Sequence, residues 1–286
     1  MRITRVLAPN PGIYTLEGTN TWVVGLEPSI VIDPGPELAE HLDEVARVAS
    51  PVAAIVVTHA HEDHAPAAMP LAERVGAPVL AFRLPGADRL RPGQAIRGGG
   101  VELTAVHTPG HSSDHVAFLE PTTRSLFTGD AVVGRGTSFI DPPDGDLVRY
   151  LRSLRRMLDL DPRTIYPGHG PVVLRARAKL GEYLAHRDDR EQEIRSVLVE
   201  GSRTVPQIVA EVYAEHPPEV HPLAARSVLA HLLKLEREGT VVRTGGGEDG
   251  PWSASGPRAC ERCGRRVRGR GRYCGSCSLA LLQGDG

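Results

Sequence analysis

Apolar residues recur along this chain with two periods, one suited to strands and one to helices. Residues 21–24 and 29–33, rich in Val and Ile, predict a hairpin turned at 25–28, and Asp33, Pro34 and Gly35 break its second strand. Residues 37–49 carry Leu38, Leu42, Val45 and Val48 at helical spacing, and residues 52–57 form a buried-strand run. A helix near 66–75 and a strand at 77–81 complete a β–α–β opening. Three further strands, at 101–106, 125–127 and 164–166, each run straight into a polar group. Between the last two, residues 146–158 predict an amphipathic helix with Leu147, Leu151, Leu154 and Leu158 inward.

After about residue 174 that alternation stops. Residues 174–200 read as helix, interrupted at Gly181 or near His186. A short helix opens at Thr204, a suitable N-cap, with Pro206 in its first turn. A longer helix runs from Pro222 to about Glu238, with Val228, Leu229, Leu232 and Leu233 toward a core and Arg226, Lys234 and Arg237 on the other side. A hairpin through Val241–Arg243 and the Gly245–Gly247 stretch completes a winged-helix pattern. The expected division is therefore 1–186, 187–256 and a tail at 257–286.

The strand at 52–57 ends in Thr-His-Ala-His-Glu-Asp-His, residues 58 to 64. Burying imidazoles and a carboxylate at a strand end without partners costs several kcal/mol, and a metal ion is the simplest compensation. Later strand ends add His111, Asp130 and His169 to His59, His61, Asp63 and His64. Loops that follow strands of one sheet converge at its edge, where α/β proteins bind ligands. Five imidazoles and two carboxylates suit two adjacent divalent ions, zinc first, with manganese or iron as alternatives. His59, His61 and His111 are expected to hold one, Asp63, His64 and His169 the other, with Asp130 as a bridge. Two such ions lower the pKa of a bound water toward about 7, so that a bridging hydroxide is available at neutral pH.

Charge and cysteine placement add a third element. The 286 residues carry a formal net charge of −2, but residues 258–286 hold 7 Lys and Arg against 2 Asp and Glu. All 4 cysteines, Cys260, Cys263, Cys274 and Cys277, lie in the same tail. Their C-x2-C-x10-C-x2-C spacing predicts one structural zinc rather than disulfides, and with it a reducing, cytoplasmic setting. The surrounding arginines and Tyr273 suggest contact with a polyanion. No apolar run is long enough to span a membrane, and the start lacks a secretory pattern, so no membrane partner is expected. Composition does not choose between a monomer and a homo-oligomer.

The motifs H-x-H-x-D-H, P-G-H, T-G-D and P-G-H-G, in this order, resemble the metallo-β-lactamase fold superfamily over roughly residues 12–186. That resemblance implies an α/β fold, an αβ/βα sandwich with a dinuclear site at one edge of its sheets. Gly18-Thr-Asn-Thr-Trp-Val-Val, the run from His107 to His115, Tyr-Pro-Gly-His-Gly-Pro and Tyr183-Leu-Ala-His-Arg are similar to the β-lactamase-like protein 2 group. This narrower resemblance implies a winged helix behind the hydrolase domain and cleavage of single-stranded RNA; the cysteine tail departs from the pattern. Asp63 is expected to orient the nucleophile. His115 is read as supporting the ligands or as a proton donor to the leaving group, with a purely structural role equally open, and Arg135 as a contact for an anionic ester substrate. His107 is expected to be structural, and His41, His186, His216, His221 and His231 to be surface or packing residues. Phosphodiester cleavage is the leading function. Glyoxalase II-like thioester hydrolysis is the alternative, and a non-enzymatic nucleic-acid-binding regulator is a third class, disfavoured by the complete ligand set.

Overall fold

The computed structural model describes residues 1–49, 51–244 and 250–256, together with the backbone of the paired strands at 258–259 and 266–267. The four tail cysteines lie outside the described residues. The chain forms two compact units, Met1–His186 and Arg187–Gly286.

In the first unit β1 (Ile3–Leu7), β2 (Asn20–Val24), β3 (Ser29–Ile32), β4 (Val52–Val56), β5 (Val79–Ala81) and β6 (Asp88–Arg89) form one sheet in that order. Helices α1 (Ala39–Ala49) and α2 (Ala68–Val75) connect β3 to β4 and β4 to β5, and these strand pairs are parallel. The second sheet holds β7 (Ala95–Gly98), β8 (Val101–His107), β9 (Val116–Glu120), β10 (Ser125–Gly129) and β11 (Thr164–Pro167) in the order β11-β10-β9-β8-β7. Helix α3 (Leu147–Asp159) lies between β10 and β11, and α4 (Ala176–Val199) follows β11.

The period-2 pattern explains the layers. Trp22, Val24, Ile30, Ile32, Ala54 and Val56 pack in one cluster with Leu103, Ala105, Phe118 and Phe127 of the second sheet. The intervening Val23, Val31 and Ile55 belong to a separate cluster with Leu42, Val45 and Leu71 of α1 and α2. Alternate residues of the same strands thus fill two cores, so both faces of the first sheet are buried. Ala117, Leu126 and Ile165 of the second sheet are fully buried too, as are Leu154 and Met157 of α3 and Leu180 of α4. The result is an αβ/βα sandwich.

Two of the expected helices differ in detail. The apolar face of α3 centres on Leu147, Tyr150, Leu154 and Met157, whereas Leu151 and Leu158 are only half-buried. The helix is turned because Tyr150 is anchored: its hydroxyl donates to the Ala131 carbonyl at 2.7 Å, and Gly110 lies against its backbone. A Cβ at Gly110, where φ is +139°, would sit 2.3 Å from Tyr150 Cα, so only glycine fits that approach. Asp146 caps α3 by accepting from the Arg149 amide at 3.0 Å. On the exposed face stand Arg149, Arg152, Arg155 and Arg156. Like charges three or four apart on a helix cost roughly 0.2–0.5 kcal/mol per pair, and no carboxylate among the described residues forms an ion pair with these four. In α4 the expected break is absent: the helix runs through Gly181 and His186 without interruption. Nothing lies within 4 Å of a Cβ placed at Gly181, so that glycine costs only its helix propensity of about 1 kcal/mol.

The second unit has α5 (Val205–Val212), a 3₁₀ turn at Pro218–Val220, α6 (His221–Arg237) and the antiparallel pair β12 (Val241–Arg243) and β13 (Trp252–Ala254). Thr204 caps α5 in a full capping box with Gln207. Ile194 and Leu198 of α4 pack with Ile208, Val228, Leu232, Leu235 and the fully buried Trp252. A further strand pair, β14 (Arg258–Ala259) and β15 (Arg266–Val267), is antiparallel. The Gly245–Gly247 stretch lies outside the described residues. No helix among the described residues is long and apolar enough to cross a membrane.

Lys234, expected on an exposed side of α6, is instead half-buried between Glu191 Oε2 at 2.6 Å and Glu238 Oε2 at 3.0 Å. Burial works to raise the Glu191 pKa, but His231, Lys234 and Arg195 outweigh it and hold the carboxyl at about 2. A folded value below the unfolded one of about 4.3 means that Glu191 contributes stability above that pH and loses it as pH falls toward 2. Glu191→Gln is expected to flatten the acid limb of stability between about pH 4.5 and 2.5, and to cost about 1–3 kcal/mol at neutral pH. Urea denaturation across that pH range checks this; an unchanged acid limb would rule it out.

Candidate metal centre

Every expected donor of the first unit comes from the loop after a strand. His59, His61, Asp63 and His64 follow β4, His111 follows β8, Asp130 follows β10 directly, and His169 follows β11. The two sheets are fastened at this edge by the Gly18-Thr-Asn-Thr-Trp segment. Asn20 Nδ2 donates to the carbonyls of Pro167 at 3.0 Å and Gly170 at 2.9 Å, and Trp22 Nε1 donates to the Pro167 carbonyl at 3.0 Å. The loop carrying His169 is thereby tied to β2 of the other sheet. Tyr183 takes part on the same side, its hydroxyl accepting from the Val133 amide at 3.0 Å.

The donors form two groups. In the first, His61 Nδ1 lies 2.9 Å from His59 Nε2 and 3.1 Å from His111 Nε2. In the second, His64 Nε2 and His169 Nε2 are 3.2 Å apart, with Asp63 Oδ2 at 3.4 and 3.0 Å from them. Asp130 faces both: Oδ1 lies 3.3 Å from His169 Nε2 and 3.4 Å from His64 Nε2, while Oδ2 is 3.8 Å from His111 Nε2. Within each group all donor atoms lie within 4.8 Å of one another. Ligands about 2.1 Å from a tetrahedral ion stand about 3.4 Å apart, so both groups have the spacing of a coordination shell. Asp130 Oδ1 is moreover buried without a well-formed hydrogen bond, facing His169 and His64 at 3.3 and 3.4 Å. A carboxylate oxygen in that position is costly unless a cation meets it.

The electrostatics separate the two groups. Burial pushes His59 well below the ordinary imidazole range and lowers His111 as well, so both are neutral and their lone pairs are free to coordinate. Around His64 and His169 burial acts in the same direction but the carboxylates outweigh it. Asp130, Asp63 and Asp33 hold His64 well above its usual value, and Asp130 and Asp63 lift His169 to about 9. The same histidines, against the opposing effect of burial, hold Asp63 below and Asp130 well below the usual carboxylate range. Divalent ions that occupy these groups replace protons as the positive partners, so loading releases protons.

Sequence reading missed the residues that aim the ligands. Asp33, at the end of β3, accepts from His64 Nδ1 at 2.9 Å, from the Thr58 amide at 2.7 Å and from Thr58 Oγ1 at 2.7 Å. Thr58 Oγ1 is in turn 3.0 Å from His59 Nδ1. His111 Nδ1 donates to the Phe139 carbonyl at 2.8 Å, and His169 Nδ1 to Gly18 at 3.3 Å. Asp114 accepts from the Ala60 amide at 3.0 Å and from Ser112 Oγ at 2.7 Å, linking the two histidine loops. The signal for Asp33 was present: it follows a strand immediately, as the ligands do. His41, expected at the surface or in packing, is buried with Nε2 2.9 Å from Thr21 Oγ1, which donates to the Asp33 carbonyl.

The remaining expected residues are placed as follows. His115 is fully buried, its ring 5.1 Å from that of His59, with Nδ1 2.9 Å from Thr108 Oγ1 and Nε2 unpartnered. Arg135 is exposed, one residue beyond Gly134, whose amide donates to the His169 carbonyl at 2.8 Å. Its guanidinium pairs with Glu17.

The model of the metallo-beta-lactamase superfamily matches residues 14–87 and 78–169. This chain belongs to the metallo-beta-lactamase superfamily. The model of the beta-lactamase associated winged helix domain matches residues 204–252 behind it. The chain is 35% identical over 265 residues to a beta-lactamase-like protein 2 homolog of Drosophila melanogaster, covering 84% of this chain and 89% of that one. It is 33% identical over 268 residues to an atrochrysone carboxyl ACP thioesterase of Aspergillus chevalieri, covering 84% and 83%. Among solved structures, a beta-lactamase domain protein from Burkholderia ambifaria superposes with a TM-score of 0.78 at 22% identity, covering 88% of this chain and 91% of that one. The metallo-beta-lactamase fold and the intact donor groups make this protein a hydrolase with a dinuclear metal site.

Because Asp33 fixes both His64 and the Thr58 loop, Asp33→Ala is expected to weaken metal binding in the second group about 10–100-fold. Competition with a fluorescent chelator measures it; affinity within two-fold of the parent would show that the carboxylate does not orient His64.

Proposed function

We propose that this hydrolase cleaves phosphodiesters of single-stranded RNA. The observation that carries the reading is the position of Asp130, which turns one oxygen toward each donor group and so pairs them into one centre. Two divalent ions, zinc first and manganese or iron as alternatives, supply Lewis acidity and a water pKa near 7 when bound. Displacement then forms a bond from water oxygen to phosphorus and breaks the bond to the leaving ribose oxygen, which ends with a proton from the water. Asp63 is the more open carboxylate, 26% exposed against 14% for Asp130, and is taken to orient the nucleophile. His115, with no exposed face, is read as holding His59 in position and not as the proton donor. Arg135 is kept as a substrate contact, where a phosphate displaces Glu17 from its side chain.

RNA is favoured over smaller anionic esters by the arginine-rich tail and by the winged-helix unit behind the hydrolase. Strands β14 and β15 flank positions 260–265, which include Cys260 and Cys263. With Cys274 and Cys277 these are proposed to hold one structural zinc that orders the tail. The thioester alternative has its own support. One relative is named as a thioesterase, and Tyr14, 56% exposed and preceded by the 62% exposed Ile13, lies beside Phe139, whose carbonyl holds His111. An apolar lip of that kind suits an acyl chain. A non-enzymatic regulator is disfavoured because the donor set is complete.

Asp63→Ala and His64→Ala are each expected to lower turnover at least about 10³-fold while the circular dichroism spectrum is retained. Activity within a few-fold of the parent would overturn the assignment. Removal of residues 258–286 is expected to weaken RNA binding and to lower the slope of log affinity against log salt by about 3–5. A thioester assay run beside it separates the readings: coincident slopes together with better thioester turnover would replace RNA by a thioester.

A further inference from the structure

Helix α3 starts beside the loop that carries His111. The Asp146 amide that opens this helix donates to the Gly110 carbonyl at 2.9 Å, one residue before His111. Ser153 Oγ donates to the Pro109 carbonyl at 2.7 Å, and Arg156 Nη1 to the His107 carbonyl at 2.8 Å. The helix therefore runs along the loop from His107 to His111. Arg149, Arg152 and Arg156 recur at spacings of three and four, which puts them on one stripe about 10 Å long. All are exposed, and no carboxylate among the described residues pairs with them.

An aromatic pair stands at the start of that loop, made by His107 at the end of β8 and Phe82 just after β5. His107 and Phe82 are stacked, ring centroids 4.4 Å apart and 13° from parallel. Burial holds the His107 imidazole below its ordinary value, and the hydrogen bond from Arg156 Nη1 to the His107 carbonyl keeps that guanidinium beside the pair. On the other side the exposed Arg83 follows Phe82 directly. Asp144, which accepts from the Ser113 amide at 3.0 Å, is the carboxylate beside this path. The arginine stripe, the half-buried Phe82–His107 pair and the loop to His111 thus form a track toward the exposed His61, 3.1 Å from His111.

Resting on the RNA reading above, we propose that this track is the binding path for single-stranded RNA on the hydrolase unit. The stripe binds successive phosphates, the Phe82–His107 pair offers a surface for a base, and the strand is led to His61 and Asp63. Charge complementarity supports this occupant: a row of exposed, mutually repelling arginines with no ion pair among the described residues is relieved by a polyanion. Single-stranded nucleic acid is bound by this combination of a basic groove and aromatic platforms.

The test uses the full-length, metal-loaded protein and a labelled 12-nucleotide phosphorothioate RNA, with anisotropy read across a salt series. The triple variant Arg149→Ala, Arg152→Ala, Arg156→Ala is expected to bind about ten-fold more weakly near 100 mM salt. Its log–log salt slope should fall by about 2, since each single-strand phosphate contact contributes about 0.7. A second triple variant with lysine at the same positions should keep the parent's slope, which a merely structural loss would not restore. Cleavage of the unmodified 12-mer by the parent is measured alongside. If the parent cuts it and the alanine variant keeps the parent's affinity and slope, the track is wrong and the RNA reading stands. A parent that neither binds nor cuts the RNA overturns both. If instead the alanine change abolishes binding to anionic phosphatidylserine vesicles and leaves the RNA slope unaltered, the face is a membrane contact and the proposal falls.

Discussion

Asp130 must face two sets of histidines at once, and the arrangement of the hydrolase unit follows from that demand. One of its oxygens looks toward His64 and His169 and the other toward His111. The carboxylate itself follows β10 in the second sheet, whereas His59 and His64 follow β4 in the first. A carboxylate reaches only a few ångströms, so the sheets have to meet closely at this edge. Asn20 and Trp22 provide that closeness by binding the backbone of the loop that carries His169. Their partners are carbonyl oxygens, which any loop sequence retains. The sheet junction is thereby independent of the side chains that do chemistry beside it.

The donor set was legible because a metal centre leaves a pattern: several ligand-type residues, each directly after an apolar run. The residues that aim those ligands leave almost none. Asp33 follows a strand as the ligands do, but as a single aspartate ahead of Pro34 and Gly35 it reads as a strand break rather than as the partner of His64. Thr58 and Asp114 are still less distinctive, since their roles arise from loops that meet only in the folded chain. Helix faces show the same limit. The period of α3 was visible, but Leu147 and Leu154 fit either of two overlapping stripes, and the choice was made by Tyr150 reaching Ala131 and Gly110. In α4, a glycine suggested a break that helix-favouring neighbours and buried residues on both sides, Leu180 and Ile194, override. Lys234 looked like a surface charge because its partner Glu191 is on another helix.

In the functional reading proposed above, scaffold and substrate recognition are carried by different parts of the molecule. The ligands, Asp33, Asn20 and Trp22 form the centre, and the groups proposed to distinguish esters of phosphorus from esters of carbon lie around it: the open Ile13 and Tyr14, Arg135 with Glu17, and the arginines of α3. This division explains why one fold accommodates both beta-lactamase-like and thioesterase-named relatives at similar identity.

The donors also have an order in time. His169 is the last of them, and the boundary between the two units falls after His186. A nascent chain leaves the ribosome from its N-terminus, and its domains fold as units in that order. Both donor groups are thus complete in covalent sequence while the winged-helix unit is still being made. The chain order leaves ion capture free to accompany synthesis of the first unit.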